Sequence, residues 1–145
     1  MLRGAIAVLY AHWEGFVKNA AQQYVEFVRQ RRLRLSELST NFIAMAAKKK
    51  MASLKDSSKV EIQIEFVEWI LDTQRRAHLP GLESISTGSN LTVEIFKNIV
   101  NTLGLDYRPD FALAERGIIQ RLVELRNHLA HGGWQEVDPA EYQQL

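Results

Sequence analysis

The densest run of residues able to handle a proton and a phosphate is Arg126-Asn127-His128-Leu129-Ala130-His131-Gly132. In a helical register Asn127 and His131 are four apart and share a face. Arg126, one position earlier, has a side chain long enough to swing onto that face. A guanidinium is always charged and grips phosphate with a planar fork, and an imidazole gives or takes a proton near neutrality. These parts suffice for metal-free cleavage of an RNA phosphodiester, with the 2′-hydroxyl as nucleophile and the arginine stabilising the charge that builds on phosphorus. The reaction wants a base for the hydroxyl and an acid for the leaving oxygen, which one histidine does not easily supply at once. A symmetric dimer with two facing helix ends would supply both. The plainer reading is that cationic side chains suit a helix C-terminus, with His128 and His131 capping carbonyls. His128 and His131 also have a metal-ligand spacing, but no Asp, Glu or Cys joins them in the motif, so neither a metal nor a cofactor is expected.

The elements that must carry this motif read as helices. Leu2, Ile6, Leu9, Trp13, Phe16, Ala20, Tyr24, Phe27 and Arg31 step by threes and fours and predict one long amphipathic helix. It tolerates Gly15, for which close packing on another helix is the usual reason. Ser36 or Ser39 starts a second helix through Phe42, Met45 and Ala46. Asp56-Ser57-Ser58 marks a turn. A third helix follows, with Val60, Ile64, Val67, Ile70 and Leu71 inward, Glu61, Glu65 and Glu68 outward, and an extent reaching Arg76. The alternation over 60–64 also fits a short strand, but the unbroken continuation favours helix. Leu79-Pro80-Gly81 stops it, His78 reads as a cap beside Arg76, and 84–90 reads as a loop. Ser89 or Asn90 caps a fourth helix over 91–103, ended by Gly104. From Phe111 a fifth helix runs through Leu113, Ile118, Leu122, Leu125 and Leu129 to Gly132-Gly133. Five helices on short loops predict an all-α helical bundle. Asp138-Pro139-Ala140-Glu141 is a helix start that meets the end of the chain within a turn, and the chain opens already inside a helical pattern. Residues 1–145 are therefore expected to form a single helical domain, as a fragment of a longer chain.

Composition limits the alternatives. The chain has 145 residues, no cysteine and a formal net charge of +1. The absent cysteines exclude disulfide scaffolds, thiol nucleophiles and thiolate zinc sites. No secretory leader and no membrane-spanning run is apparent, which predicts a cytoplasmic protein without membrane contact. Basic residues cluster at Arg29/Arg31/Arg32/Arg34, Lys48/Lys49/Lys50 and Arg75/Arg76; these read either as solvated helix ends or as a phosphate-attracting surface. Trp13, Phe16, Tyr24, Phe27 and Trp69 are assigned to the core or to a dimer interface. Trp134 covers the motif or stacks on a base, and His12 is a second candidate lining of the cleft.

The Arg126-Asn127-…-His131 motif in a late helix resembles the Arg-x4–6-His motif of the HEPN superfamily. Leu9-Tyr10-Ala11-His12-Trp13-Glu14-Gly15-Phe16-Val17-Lys18 resembles the opening helix of a bacterial HEPN-like nuclease group. Thr87-Gly88-Ser89-Asn90-Leu91 with Phe96-Lys97-Asn98-Ile99 is similar to that group as well. The resemblance implies a helical, HEPN-like bundle and a homodimer with one composite cleft. It implies metal-independent endoribonuclease activity in a toxin–antitoxin or antiphage defence setting, with RNA as substrate and an antitoxin or defence-system protein as partner. Arg126 and His131 fall on the motif's fixed positions, Asn127 on the polar position after the arginine, and Glu14, which orients either, and His128 are the supporting candidates. The family also includes non-catalytic modules that bind nucleotide, RNA or a partner protein, and a purely structural helical dimer is a third reading.

Overall fold

The computed structural model describes residues 2–56, 59–81, 84–88, 90–108, 110–111 and 119–130. Among these residues five α-helices form and no strand does: α1 (Leu2–Gln30), α2 (Thr40–Lys55), α3 (Val60–Leu71), α4 (Val93–Thr102) and α5 (Gln120–Ala130), with a 3-10 turn at Leu35–Glu37. The all-α bundle expected from periodicity is the fold, and the alternating 60–64 stretch is helical. Residues 110–111 are also helical, at the expected start of the fifth helix; Leu113 and Ile118 lie outside the described residues.

The main core is built from α1, α2, α4 and α5 with the 85–91 segment. Ile6, Tyr10, Val17, Ala21 and Val25 of α1 pack with Phe42 and Met45, with Ile85 and Leu91, with Phe96, Ile99 and Val100, and with Leu122 and Leu125. The buried stripe of α1 is thus not the one expected. Phe16, Tyr24 and Phe27 are 67%, 39% and 54% exposed, and Ala20 is exposed too. Apolar residues cover an arc of this helix wider than one packing face, and the bundle takes the half that carries Tyr10, Val17 and Val25. Trp13 is half-buried against Phe96, with ring centroids 5.6 Å apart, as expected for a core residue.

Among the described residues Gly15 is not a close-packing glycine, because a Cβ built there meets none of them within 4 Å. Gly15→Ala should therefore raise stability by about 0.5–1 kcal/mol, since the added methyl is free of clashes and narrows the unfolded ensemble. Urea unfolding of the two proteins checks it, and a fall in stability would mean that a neighbour fills this space.

Helix α4 shows its end signals clearly. Its N-cap is Thr92, whose hydroxyl accepts from the Ile95 N–H at 3.3 Å, and not Asn90, whose side chain is engaged elsewhere; Ser89 lies outside the described residues. Gly104 ends it as expected, at φ 68°. Its N–H reaches the Asn101 carbonyl at 2.9 Å and the Leu105 N–H reaches Val100 at 3.1 Å, a doubly bonded left-handed cap. Asn41 of α2 donates to the Asn101 carbonyl at 2.6 Å and ties α2 to this end. Ser39 is the N-cap residue of α2, while Ser36 falls in the 3-10 turn.

Helix α3 lies at the edge of the bundle and packs on α2. A small second core of Leu35, Ala47 and Trp69, with Phe66 and Ile43 against it, joins them. The face expected inward is the exposed one: Val60, Ile64, Val67, Ile70 and Leu71 are between 42% and 72% exposed. The larger aromatic surface of Trp69 and Phe66, stacked at 6.3 Å, wins the contact with α2 and turns the aliphatic row outward. The helix stops at Leu71, short of Arg76, because the chain then runs antiparallel to the segment after α1. There Leu35 N–H meets the Arg75 carbonyl at 3.0 Å and Ala77 N–H meets the Leu33 carbonyl at 2.9 Å. This pairing brings the basic clusters at 29–34 and 75–76 together around the Arg34–Arg76 bridge. His78, exposed beyond that pairing, is not the helix cap expected from sequence.

Candidate functional site

Helix α5 buries Leu122, Val123 and Leu125 and leaves Glu124 and His128 on its exposed side. Between these faces Arg126 and Asn127 are half-buried, turned toward α1 and the segment that precedes α4. The swing anticipated for Arg126 takes place: its Nη1 donates to Asn127 Oδ1 at 3.0 Å. The guanidinium carbon stands 5.2 Å from the centroid of the Tyr10 ring, within cation–π range.

A chain of hydrogen bonds then ties this corner together. Asn90 Nδ2 donates to Asn127 Oδ1 at 3.1 Å, so that oxygen accepts from two sides. Asn90 Oδ1 in turn accepts from the Tyr10 hydroxyl at 2.7 Å, and the Tyr10 oxygen accepts from the buried Leu91 N–H at 2.6 Å. Three segments far apart in sequence thereby fix one amide oxygen and one guanidinium. Polar groups removed from water are costly unless bonded, so each link constrains the next. Glu14, one helical turn beyond Tyr10 on α1, is half-buried and acts directly on the same phenol.

Burial holds the Tyr10 phenol above its ordinary value of 10.0; the charge of Glu14 pushes the same way, against the Leu91 amide and Arg126. At neutral pH Tyr10 is therefore a neutral donor and not a base. Its neutral form is favoured by the fold, so the stability it contributes is complete below the ordinary value and is lost as pH rises through the raised one. Tyr10→Phe leaves the Leu91 N–H and the Asn90 Oδ1 without their partner and should cost about 1–3 kcal/mol. It should also remove the part of the alkaline stability loss that belongs to this phenol. Urea unfolding from neutral to alkaline pH measures both, and identical curves would deny Tyr10 this position.

Of the residues singled out by sequence, the structure brings together Arg126 and Asn127 and places Glu14 one turn along α1 from the Tyr10 that Arg126 covers. His128 is exposed on the far side of α5, away from the hydrogen-bond chain, and His12 is exposed on α1. His131, Gly132, Gly133 and Trp134 lie outside the described residues. Tyr10 and Asn90 were missed as site residues. Tyr10 was within reach of sequence reasoning, since it lies four positions before Glu14 on one helix face. The Asn90 contacts, made across 80 and 37 residues of chain, left no local signal.

Among the described residues no group of His, Asp or Glu is arranged to hold a metal ion, and no helix is long and apolar enough to cross a membrane. What the arrangement can do is present a fixed, half-exposed guanidinium beside a polarised amide, suited to an anionic oxygen. No curated protein and no solved structure matches the chain. The family model described as HEPN_MAE_28990-like HEPN matches residues 1–145, the whole sequence. With its helical bundle and the arginine corner on its last described helix, the chain belongs to this HEPN family.

Proposed function

We propose that this protein is a metal-independent endoribonuclease, acting as a homodimer in a toxin–antitoxin or antiphage defence system. The observation that carries the reading is the Arg126 guanidinium, held by Asn127 and the Tyr10 ring at a half-exposed corner. In the proposed reaction the RNA 2′-oxygen attacks phosphorus and gives up its proton to an imidazole. The bond from phosphorus to the 5′-oxygen breaks, and that oxygen takes a proton from a second imidazole. The products are a 2′,3′-cyclic phosphate and a 5′-hydroxyl. Arg126 stabilises the negative charge on the non-bridging oxygens as it builds. His131 supplies the proton-transfer group, and its copy in the second protomer supplies the other. Asn127, Asn90 and Tyr10 hold the guanidinium in place.

A dimer accords with the surface of α1, where Phe16 and Phe27 remain more than half exposed in the isolated chain. Exposed aromatic area of this kind commonly marks an interface. The experiment is RNA cleavage in EDTA by the purified protein and by Arg126→Ala and His131→Ala, with light scattering to give the mass. Cleavage lost in both variants with the dimer intact supports the reading. Equal cleavage by all three discards the assigned roles. RNA bound with no product at high protein concentration would instead mark a non-catalytic binding module.

A further inference from the structure

Helix α3 carries an apolar row that nothing in this chain's described residues covers. Val60, Ile64, Val67 and Leu71 are spaced four, three and four apart, the interval of a coiled-coil seam. They are 60%, 52%, 53% and 72% exposed. The residues that anchor α3 to α2, Trp69 and Phe66, are on its other side, so the seam is free of the fold's own packing. A shallow groove runs along it, lined by Val60, Gln63, Ile64, Val67 and Glu68. An aliphatic row left in water on a helix that is otherwise well anchored is an interaction surface.

Charge selects the occupant. Glu61 and Glu68 follow the seam one heptad apart along one flank, and both are exposed. Glu65 lies behind them and pairs with Lys50 of α2 at 3.4 Å. On the other flank stand Gln63 and Ile70, which carry no charge. A second copy of α3 cannot satisfy this rim. Laid antiparallel, it sets Glu61 against Glu68 twice; laid parallel, it offers Gln63 to each acidic flank. Like charges across a seam are unfavourable, and opposite charges choose the partner. We infer that α3 is the docking site for an amphipathic helix of a different protein, with an apolar seam flanked by Lys or Arg residues that meet Glu61 and Glu68. This site is independent of the ribonuclease reading and would stand if that reading failed.

The probe is a synthetic three-heptad helical peptide with Leu and Ile on its seam and Lys on its flanks, together with a twin carrying Glu on the flanks. Both are titrated onto the full chain by fluorescence anisotropy. The Lys-flanked peptide should bind about tenfold more tightly than its twin, with the difference shrinking as salt is added. Ile64→Asp and Val67→Asp sit on exposed positions and should fold normally by circular dichroism yet lose the peptide. Glu61→Lys with Glu68→Lys should reverse the preference between the two peptides. Absence of binding, equal binding of the twins, or unchanged binding to the Asp variants overturns the proposal. So does self-association of the chain that Ile64→Asp abolishes, because a second copy would then be the occupant.

Discussion

Arg126→Ala should lower RNA cleavage by roughly 10²–10³-fold, the loss typical when one preorganised donor to a developing oxyanion is removed. The reasoning rests on what holds the guanidinium. Its Nη1 is bonded to Asn127 Oδ1 and its central carbon lies over the Tyr10 ring, so little reorganisation is needed when charge appears on phosphorus. Arg126→Lys should not restore the rate, because an ammonium has neither the planar fork nor the stacking surface. His131→Ala should cost a comparable or larger factor, roughly 10²–10⁴, through the lost proton transfer. The double variant should be no worse than the more damaged single one, since groups that act on one transition state do not contribute additively. Single-turnover rates in EDTA compare the four variants with wild type. A rate for Arg126→Ala within threefold of wild type, roughly the scatter of ordinary surface changes, would remove Arg126 from the chemistry.

Phe96→Ala should destabilise the fold by about 3–5 kcal/mol, the range for deleting a buried phenyl ring. Phe96 is 8% exposed and is the hub of an aromatic cluster. Its ring lies 5.6 Å from Trp13, 6.3 Å from Tyr107 and 5.9 Å from Phe111. Three aromatic rings from α1 and the segments after α4 thus meet on one side chain, and truncation empties the centre of that contact. Against a net stability of roughly 5–15 kcal/mol this is a large fraction. In thermal unfolding followed by circular dichroism the midpoint should fall by roughly 10–20 °C. The site should suffer too, because Trp13 and Tyr10 are a turn apart on α1. A loss below about 1 kcal/mol, the level of an ordinary substitution, would mean that the cluster is not the keystone that its geometry makes it.

Helix existence was legible in the sequence because a 3.6-residue period survives almost any packing arrangement. Which side of a helix is buried was less legible. On α1 apolar residues spread from Ile6 and Tyr10 around to Phe16 and Phe27, and only the partners α4 and α5 decide between the two halves. On α3 the aliphatic row looks inward by pattern, but this edge helix packs through one side, and it gave that side its aromatic residues. The cap of α4 was misplaced because Asn90 and Thr92 are both good cap residues; a tertiary demand from Tyr10 and Asn127 claims the first and leaves the second. At the candidate site, Arg126 and Asn127 stand out in one short motif, while Glu14 was named only through the family resemblance of the first helix. The bonds that orient them depend on Asn90, which meets Tyr10 and Asn127 only once the chain has folded.

The most direct test compares an RNA with its 2′-deoxy counterpart, both offered to the wild-type protein in EDTA. The account predicts that the RNA is cut, with 2′,3′-cyclic phosphate and 5′-hydroxyl ends, and that the deoxy strand stays whole. Cleavage of both strands alike, or an RNA left intact at high protein concentration, would contradict it.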